Sequence, residues 1–111
     1  MNTGIRTVIY PVEDTAEAKA LYQSLLGVEP YVDEPYYVGF RVGDQEFGLD
    51  PNGMHKAMTT YYNVDDIHGR VAQLQALGAI PQGEVRDVGG GKLVVTLTDP
   101  DGNTFGLSQE P

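Results

Sequence analysis

The residue types that most often carry metal, redox or nucleophilic chemistry are scarce in this chain of 111 residues. Cysteine is absent, which excludes thiolate zinc sites, disulfides and thiol nucleophiles. Histidine occurs twice, at His55 and His68. His55 follows the turn-forming run Asp50-Pro51-Asn52-Gly53, and His68 falls in the first turn of a helical pattern, on the face away from Ile67 and Val71. Both are read as surface residues rather than ligands or bases. Tyr61, Glu46 and Asp50 could move a proton, but nothing in the sequence sets a nucleophile beside a base. Arg86, between Val85 and Asp87, could anchor an anion or form a surface ion pair. Gly89-Gly90-Gly91-Lys92 has the composition of a phosphate loop, yet such a loop needs a following helix whose N-terminus meets the anion. Leu93-Val94-Val95-Thr96-Leu97 is strand-like instead, so the glycines read as the turn of a hairpin.

The elements that would position these residues repeat. Thr7-Val8-Ile9-Tyr10-Pro11-Val12 is β-branched and aromatic, and Glu13-Asp14 leads from it into a helix. Asp14 suits the N-cap with Glu17 three residues on, Gly27 suits C′, and Ala18, Leu21, Tyr22, Leu25 and Leu26 make an apolar stripe. Tyr36–Val42 and Gln45–Leu49 form a hairpin through Gly43-Asp44, with a further short edge strand expected over Val28–Val32. The second half lines up position for position. Thr59–Asp66 matches Thr7–Asp14, Leu77-Gly78 matches Leu26-Gly27, and Phe105-Gly106-Leu107 matches Phe47-Gly48-Leu49. Ile67, Val71 and Leu74 share one face of the second helix, and Glu84–Val88 pairs with Lys92–Thr98. One domain over 1–111 is expected, with repeats over about 5–50 and about 58–109.

A duplicated β-α-β-β-β chain of this length resembles the vicinal oxygen chelate superfamily, the glyoxalase and bleomycin-resistance group. The most specific marker is Asp99-Pro100-Asp101-Gly102-Asn103 ahead of the last strand, supported by Val12-Glu13-Asp14 and Leu25-Leu26-Gly27-Val28. The resemblance implies an α+β fold: two βαβββ repeats forming a curved mixed sheet around a cavity, with helices outside. It further implies, in metal-using members, ligands from the first and fifth strands and carboxylates late in the fourth and eighth. Carried onto this sequence, those positions hold Thr7, Thr59, Gly48 and Gly106. Two hydroxyls and two bare glycines offer no set of imidazole or carboxylate donors, so no metal and no cofactor is expected.

Strand alternation then suggests the cavity wall. Ile9 shares the side of Thr7, while Val8, Tyr10 and Val12 turn toward the helix; Thr59, Tyr61 and Asn63 share a side, while Thr60, Tyr62 and Val64 turn away. Tyr36 and Phe40 from the third strand are expected to add aromatic lining, and Arg86 an anchor. Gly48 and Gly106 either leave room for a flat ligand or relieve crowding between half-sheets.

Seven basic against sixteen acidic residues give a net charge of −9, which repels a phosphate backbone and argues against nucleic acid. No apolar run approaches a membrane span, and the first four residues lack the pattern of a secretory signal, so a cytoplasmic location is expected. The expected function is metal-independent binding of a small organic ligand by a homodimer; the alternative is a glyoxalase-like lyase or isomerase with atypical or no metal ligands.

Overall fold

A computed structural model of the chain describes residues 2–53 and 55–111; Met1, part of the N-terminal segment read above, and Met54 lie outside the described residues. The chain divides into two compact units, residues 6–59 and residues 1–5 with 60–111. The first carries β1 (Ile5–Pro11), α1 (Thr15–Leu26), β2 (Val32–Glu34), β3 (Tyr37–Val42) and β4 (Gln45–Asp50). β4 lies parallel to β1, β3 antiparallel to β4, and β2 antiparallel to β3. The second carries β5 (Thr59–Asn63), α2 (Ile67–Ala76), β6 (Ile80–Pro81), β7 (Arg86–Asp87), β8 (Leu93–Thr98) and β9 (Thr104–Gln109). Here β9 is parallel to β5 and β8 antiparallel to β9, while the short β6 and β7 both pair with β8. The fold is mixed α+β, and the β-α-β-β-β plan recurs in each unit with the same strand directions.

Local chemistry explains where the helices begin. The Asp14 carboxylate accepts the Glu17 N–H at 3.0 Å, and Asp66 accepts the Gly69 N–H at 3.1 Å, each satisfying an orphan donor of a first turn. α1 ends on Gly27 in the left-handed region (φ 73°), with its N–H bonded to the Gln23 carbonyl. The second helix departs from that pattern: Leu77 caps it with an ordinary φ, and the positive φ (106°) falls on Gly78.

In the first unit Ala18, Tyr22 and Leu26 of α1 pack on Val38, Phe40 and Leu49, and the Tyr22 ring stacks on Tyr10 at 4.7 Å. Leu21 and Leu25 do not join that stripe, being 58% and 70% exposed. Residues 18, 22 and 26 repeat every four positions along the buried face, and the leucines sit about 100° round the helix from it. In the second unit Ile67, Val71 and Leu74 of α2 pack on Val64, Val95, Leu97 and Leu107.

The strand expected at Val28–Val32 forms instead at Val32–Glu34. Pro30 has no N–H to give, and the ladder is entered through the Tyr31 N–H, which bonds the Gly39 carbonyl at 2.9 Å. The Asp99–Asn103 turn proves to be self-supporting. Asp99 Oδ1 accepts the N–H groups of Asp101 and Asn103, both at 2.9 Å, and Oδ2 accepts the Asn103 side-chain amide at 2.9 Å. The Asn103 amide, with these backbone donors, holds the Asp99 carboxyl below its ordinary 3.8. Among the described residues, no helix is long and apolar enough to cross a membrane.

Candidate functional site: the helix-free faces of the two half-sheets

In each unit the helix covers one face of the strands, so the residues of interest are those of opposite parity. On the first unit the register sets Thr7 beside Glu46 and Glu46 opposite Arg41; the next row is Ile9, Gly48, Gly39 and Val32. Registered partners share a face. Thr7 (7% exposed) and Ile9 (5%) are therefore buried away from α1, as alternation requires, and the Thr7 hydroxyl has no hydrogen-bond partner among the described residues.

The glycines on this face do not leave open space. A Cβ built on Gly48 would collide with the Tyr37 hydroxyl and stand 2.7 Å from its ring carbon Cζ. One on Gly39 would lie 3.0 Å from both the Tyr31 and Tyr37 rings. Two tyrosine rings thus lie over a glycine pair. The Arg41 guanidinium sits 4.1 Å from the Tyr31 ring centroid and donates to Glu46 Oε1 through Nη2 at 3.1 Å. Burial, and then the Glu46 charge, push the Tyr31 hydroxyl pKa up against the opposing pull of Arg41.

Two residues expected on this wall are elsewhere. Phe40 is fully buried on the α1 side, opposite Phe47 and within the core of Val38 and Leu49. Tyr36 precedes β3, is 62% exposed, and offers its backbone carbonyl to the Asn52 side chain. Tyr31, Tyr37 and Arg41 take the place that the sequence reading gave to these two.

His55 is not the surface residue expected. Its side chain is 16% exposed and its Nδ1 lies 2.7 Å from Asp50 Oδ2. The same oxygen accepts the His55 N–H at 3.0 Å, and Oδ1 accepts the Asn52 N–H at 2.9 Å. Burial pushes the Asp50 carboxyl up, but the bonds from the His55 ring and from the Asn52 and His55 backbones outweigh it and hold the group below its ordinary 3.8. Asp50→Ala removes all of these bonds at a site only 6% exposed, and is expected to cost about 2 kcal/mol, roughly 8 °C in Tm. A carboxyl with a depressed folded pKa contributes stability above its unfolded pKa and loses it as pH falls through the folded value. The Tm gap between wild type and variant should accordingly be full at neutral pH and close below about pH 4. A gap constant down to pH 2 would show that the charge is not what the turn uses. His68 is exposed, as expected.

The second unit has its own row of this parity: Tyr61 on β5, Gly106 on β9 and Thr96 on β8. A Cβ on Gly106 would lie 2.9 Å from Tyr61 Cγ and closer still to ring carbons Cδ1 and Cε1. Tyr61 (6% exposed) therefore occupies the space beside Gly106, so of the two expected roles the glycine here relieves crowding, by a ring of its own unit, rather than leaving room. Beside them Asn63 registers with Ser108, Ser108 with Val94, and Val94 with Arg86. The Thr59 hydroxyl is spent on the Ala57 carbonyl at 2.9 Å. Arg86 is exposed on β7 and makes no ion pair among the described residues, contrary to one of its two expected roles.

The four positions at which the resemblance places metal ligands do not fit a divalent ion. Thr7 and Thr59 bring hydroxyls, Gly48 and Gly106 bring no donor and are overlaid by rings, and no group of three or more His, Asp or Glu side chains converges among the described residues. An open groove of about 520 Å³ beside the end of α1, lined by Ala20, Gln23, Ser24, Gly27, Val28 and Glu29, lies on none of these rows.

Comparison with known proteins agrees with this architecture. None of the curated proteins matches the sequence. A glyoxalase/bleomycin resistance protein/dioxygenase superfamily member from Vibrio splendidus 12B01 superposes with a TM-score of 0.70 at 17% identity, covering 96% of this chain and 99% of that one. The Mn(II)-bound glyoxalase from Novosphingobium aromaticivorans gives 0.76 at 23% identity, over 98% of this chain and 40% of that one. Methylmalonyl-CoA epimerase from Mycobacterium tuberculosis gives 0.70 at 15% identity, over 99% and 89%. At such identities the likeness is one of fold. The family model for the Glyoxalase/Bleomycin resistance protein/Dioxygenase superfamily matches residues 4–107, nearly the whole sequence, and the chain belongs to that superfamily.

Proposed function

We propose that the chain is a metal-independent small-molecule binding protein that sequesters a drug or metabolite, acting as a homodimer, the state the resemblance implies. One observation carries the reading. Both sheet positions where the resemblance places a carboxylate ligand are glycines, and each lies beneath a tyrosine ring of its own unit, Tyr37 over Gly48 and Tyr61 over Gly106. Each such face presents an aromatic ring in place of a metal donor, a lining that suits an uncharged or flat organic molecule. The supporting residues are Thr7, Ile9, Tyr31, Tyr37 and Arg41 on one unit and Tyr61, Asn63, Arg86 and Gly106 on the other.

Protein purified without a chelating tag is expected to hold no stoichiometric zinc, nickel, manganese or iron. In a thermal-shift screen of diverse organic compounds, a ligand at 100 times its Kd should add about 2.7 kcal/mol, roughly 10 °C in Tm. Stoichiometric metal in the purified protein, or no stabilisation by any chemical class, ends this reading.

A second reading, lyase or isomerase chemistry without a metal, is favoured by the Asp50–His55 pair, because a carboxylate bonded to an imidazole nitrogen orients the ring for acid–base work. Turnover that His55→Gln abolishes without changing ligand affinity would mark it.

A further inference from the structure

The helix-free face of the second unit carries a row of polar groups whose hydrogen bonds are incomplete. Asn63, Ser108, Val94 and Arg86 follow one another across β5, β9, β8 and β7, each registered with the next. Directly registered side chains share a face and stand about 5 Å apart. Ser108 is 1% exposed and its hydroxyl has no partner among the described residues; Asn63 Oδ1 is likewise buried without one, although the Asn63 amide donates to Thr3 Oγ1 at 3.0 Å. At the far end the Arg86 guanidinium makes no ion pair among the described residues, in a chain of net charge −9.

Each of these groups has a defined need. The Ser108 hydroxyl can donate, Asn63 Oδ1 can only accept, and the guanidinium offers a fork of donors that fits a carboxylate. Burying the first two unpartnered is destabilising, so whatever supplies their partners is bound with that advantage. Water could serve Ser108 and Asn63 together. The unpaired positive charge at the end of the same row, across the apolar Val94, is what favours an organic anion over water. Two strand spacings, about 10 Å, separate Ser108 from Arg86, a gap that an arginine side chain folded over Val94 narrows to the size of a small ligand.

We propose that this row is the polar end of the ligand site, and that its ligand is a small organic carboxylate that also bears a hydroxyl, amine or amide hydrogen. The carboxylate takes the Arg86 guanidinium and the Ser108 hydroxyl, and the neighbouring O–H or N–H donates to Asn63 Oδ1. The assignment rests on the small-molecule reading above and narrows it.

Calorimetric titration of the full chain with three matched pairs tests it: mandelate and mandelamide, salicylate and salicylamide, hippurate and its amide. At least one carboxylate is expected to bind ten-fold or more tightly than its amide. Arg86→Gln, at an exposed position, should keep its Tm within 2 °C and bring that ratio to within two-fold. Ser108→Ala should weaken the carboxylate about ten-fold while raising the Tm of the ligand-free protein by about 2–4 °C, because it deletes an unsatisfied buried hydroxyl. A fall in Tm for Ser108→Ala, a ratio unchanged by Arg86→Gln, or no carboxylate preference in any pair overturns the assignment. If amides or other neutral compounds bind and carboxylates do not, the carboxylate assignment fails alone and the binding reading survives; if nothing binds in either experiment, both fail.

Discussion

Gly106→Ala is expected to cost about 3 kcal/mol, roughly 12 °C in Tm, although alanine is ordinarily the better strand residue. The backbone at Gly106 has no positive φ, so alanine meets no conformational barrier there and would gain about 0.5–1 kcal/mol of backbone entropy. Sterics decide the sign. The new methyl would meet Cδ1, Cε1 and Cγ of Tyr61, and Cγ is one bond from a Cβ whose position is fixed by β5, the registered neighbour of β9. The ring can yield only by leaving its rotamer or by moving the strand. At Gly48 the clash is with Oη, Cε1 and Cζ of Tyr37, the far end of a ring that can swing, so Gly48→Ala should cost only about 1 kcal/mol. The Tyr61→Ala/Gly106→Ala double variant should be more stable than the sum of the two single losses, a coupling that appears only if ring and glycine are in contact. The same clash bears on the chemistry. A glutamate at 106, as metal use would require, cannot be accommodated without displacing Tyr61, so glycine and tyrosine form one packed unit that leaves no room for a carboxylate metal donor. Should Gly106→Ala melt within 2 °C of wild type, the rings do not pack on the glycines and the metal-independent reading loses its carrying observation.

The duplicated plan was legible because it is written in short-range chemistry. Strand, N-cap aspartate and helix recur as Thr7–Asp14 and Thr59–Asp66, and both aspartates do cap their helices. The parity of β1 and β5 was legible for the same reason: the helix that follows must cover the alternate residues, and the cores hold Tyr10 and Val12 in one case and Tyr62 and Val64 in the other. Three things were not legible. A glycine in a strand announces a close approach but not its occupant, so Gly48 and Gly106 read equally as room for a ligand or as relief of crowding, and the rings of Tyr37 and Tyr61 are what lies over them. The Asp50–His55 pair depends on a tight turn in irregular chain, where an aspartate that accepts the N–H groups of residues 52 and 55 draws the imidazole back upon itself; Asp-Pro-Asn-Gly predicted the turn, not its inward direction. The lack of a partner for the Ser108 hydroxyl and for Asn63 Oδ1 is a property of tertiary burial, which no local pattern encodes.

The third strand is different, because its parity could have been derived. Gly43-Asp44 makes a two-residue hairpin loop, so Val42 pairs Gln45, Arg41 pairs Glu46, Phe40 pairs Phe47 and Gly39 pairs Gly48. Once Gly48 is assigned to the helix-free face, Gly39 and Arg41 must join it, and Phe40 must go with Phe47 to the helix side. Phe40→Ala is consequently expected to cost about 4 kcal/mol, roughly 16 °C in Tm, since it empties a fully buried ring site among Val38, Leu49, Tyr22 and Leu26. Tyr36→Ala, at a residue 62% exposed ahead of the strand, should change stability by less than about 0.5 kcal/mol. Tyr37→Ala uncovers two glycines at once and should act on ligand affinity as well as on Tm, because its ring is part of the wall itself. A one-residue slip of β3 would reverse these assignments, sending Phe40 to the ligand face and Tyr37 to α1. Melting the three variants with and without a stabilising ligand separates the two registers: if Phe40→Ala loses affinity while keeping its Tm, the pairing of β3 with β4 is off by one and the tyrosine floor does not exist.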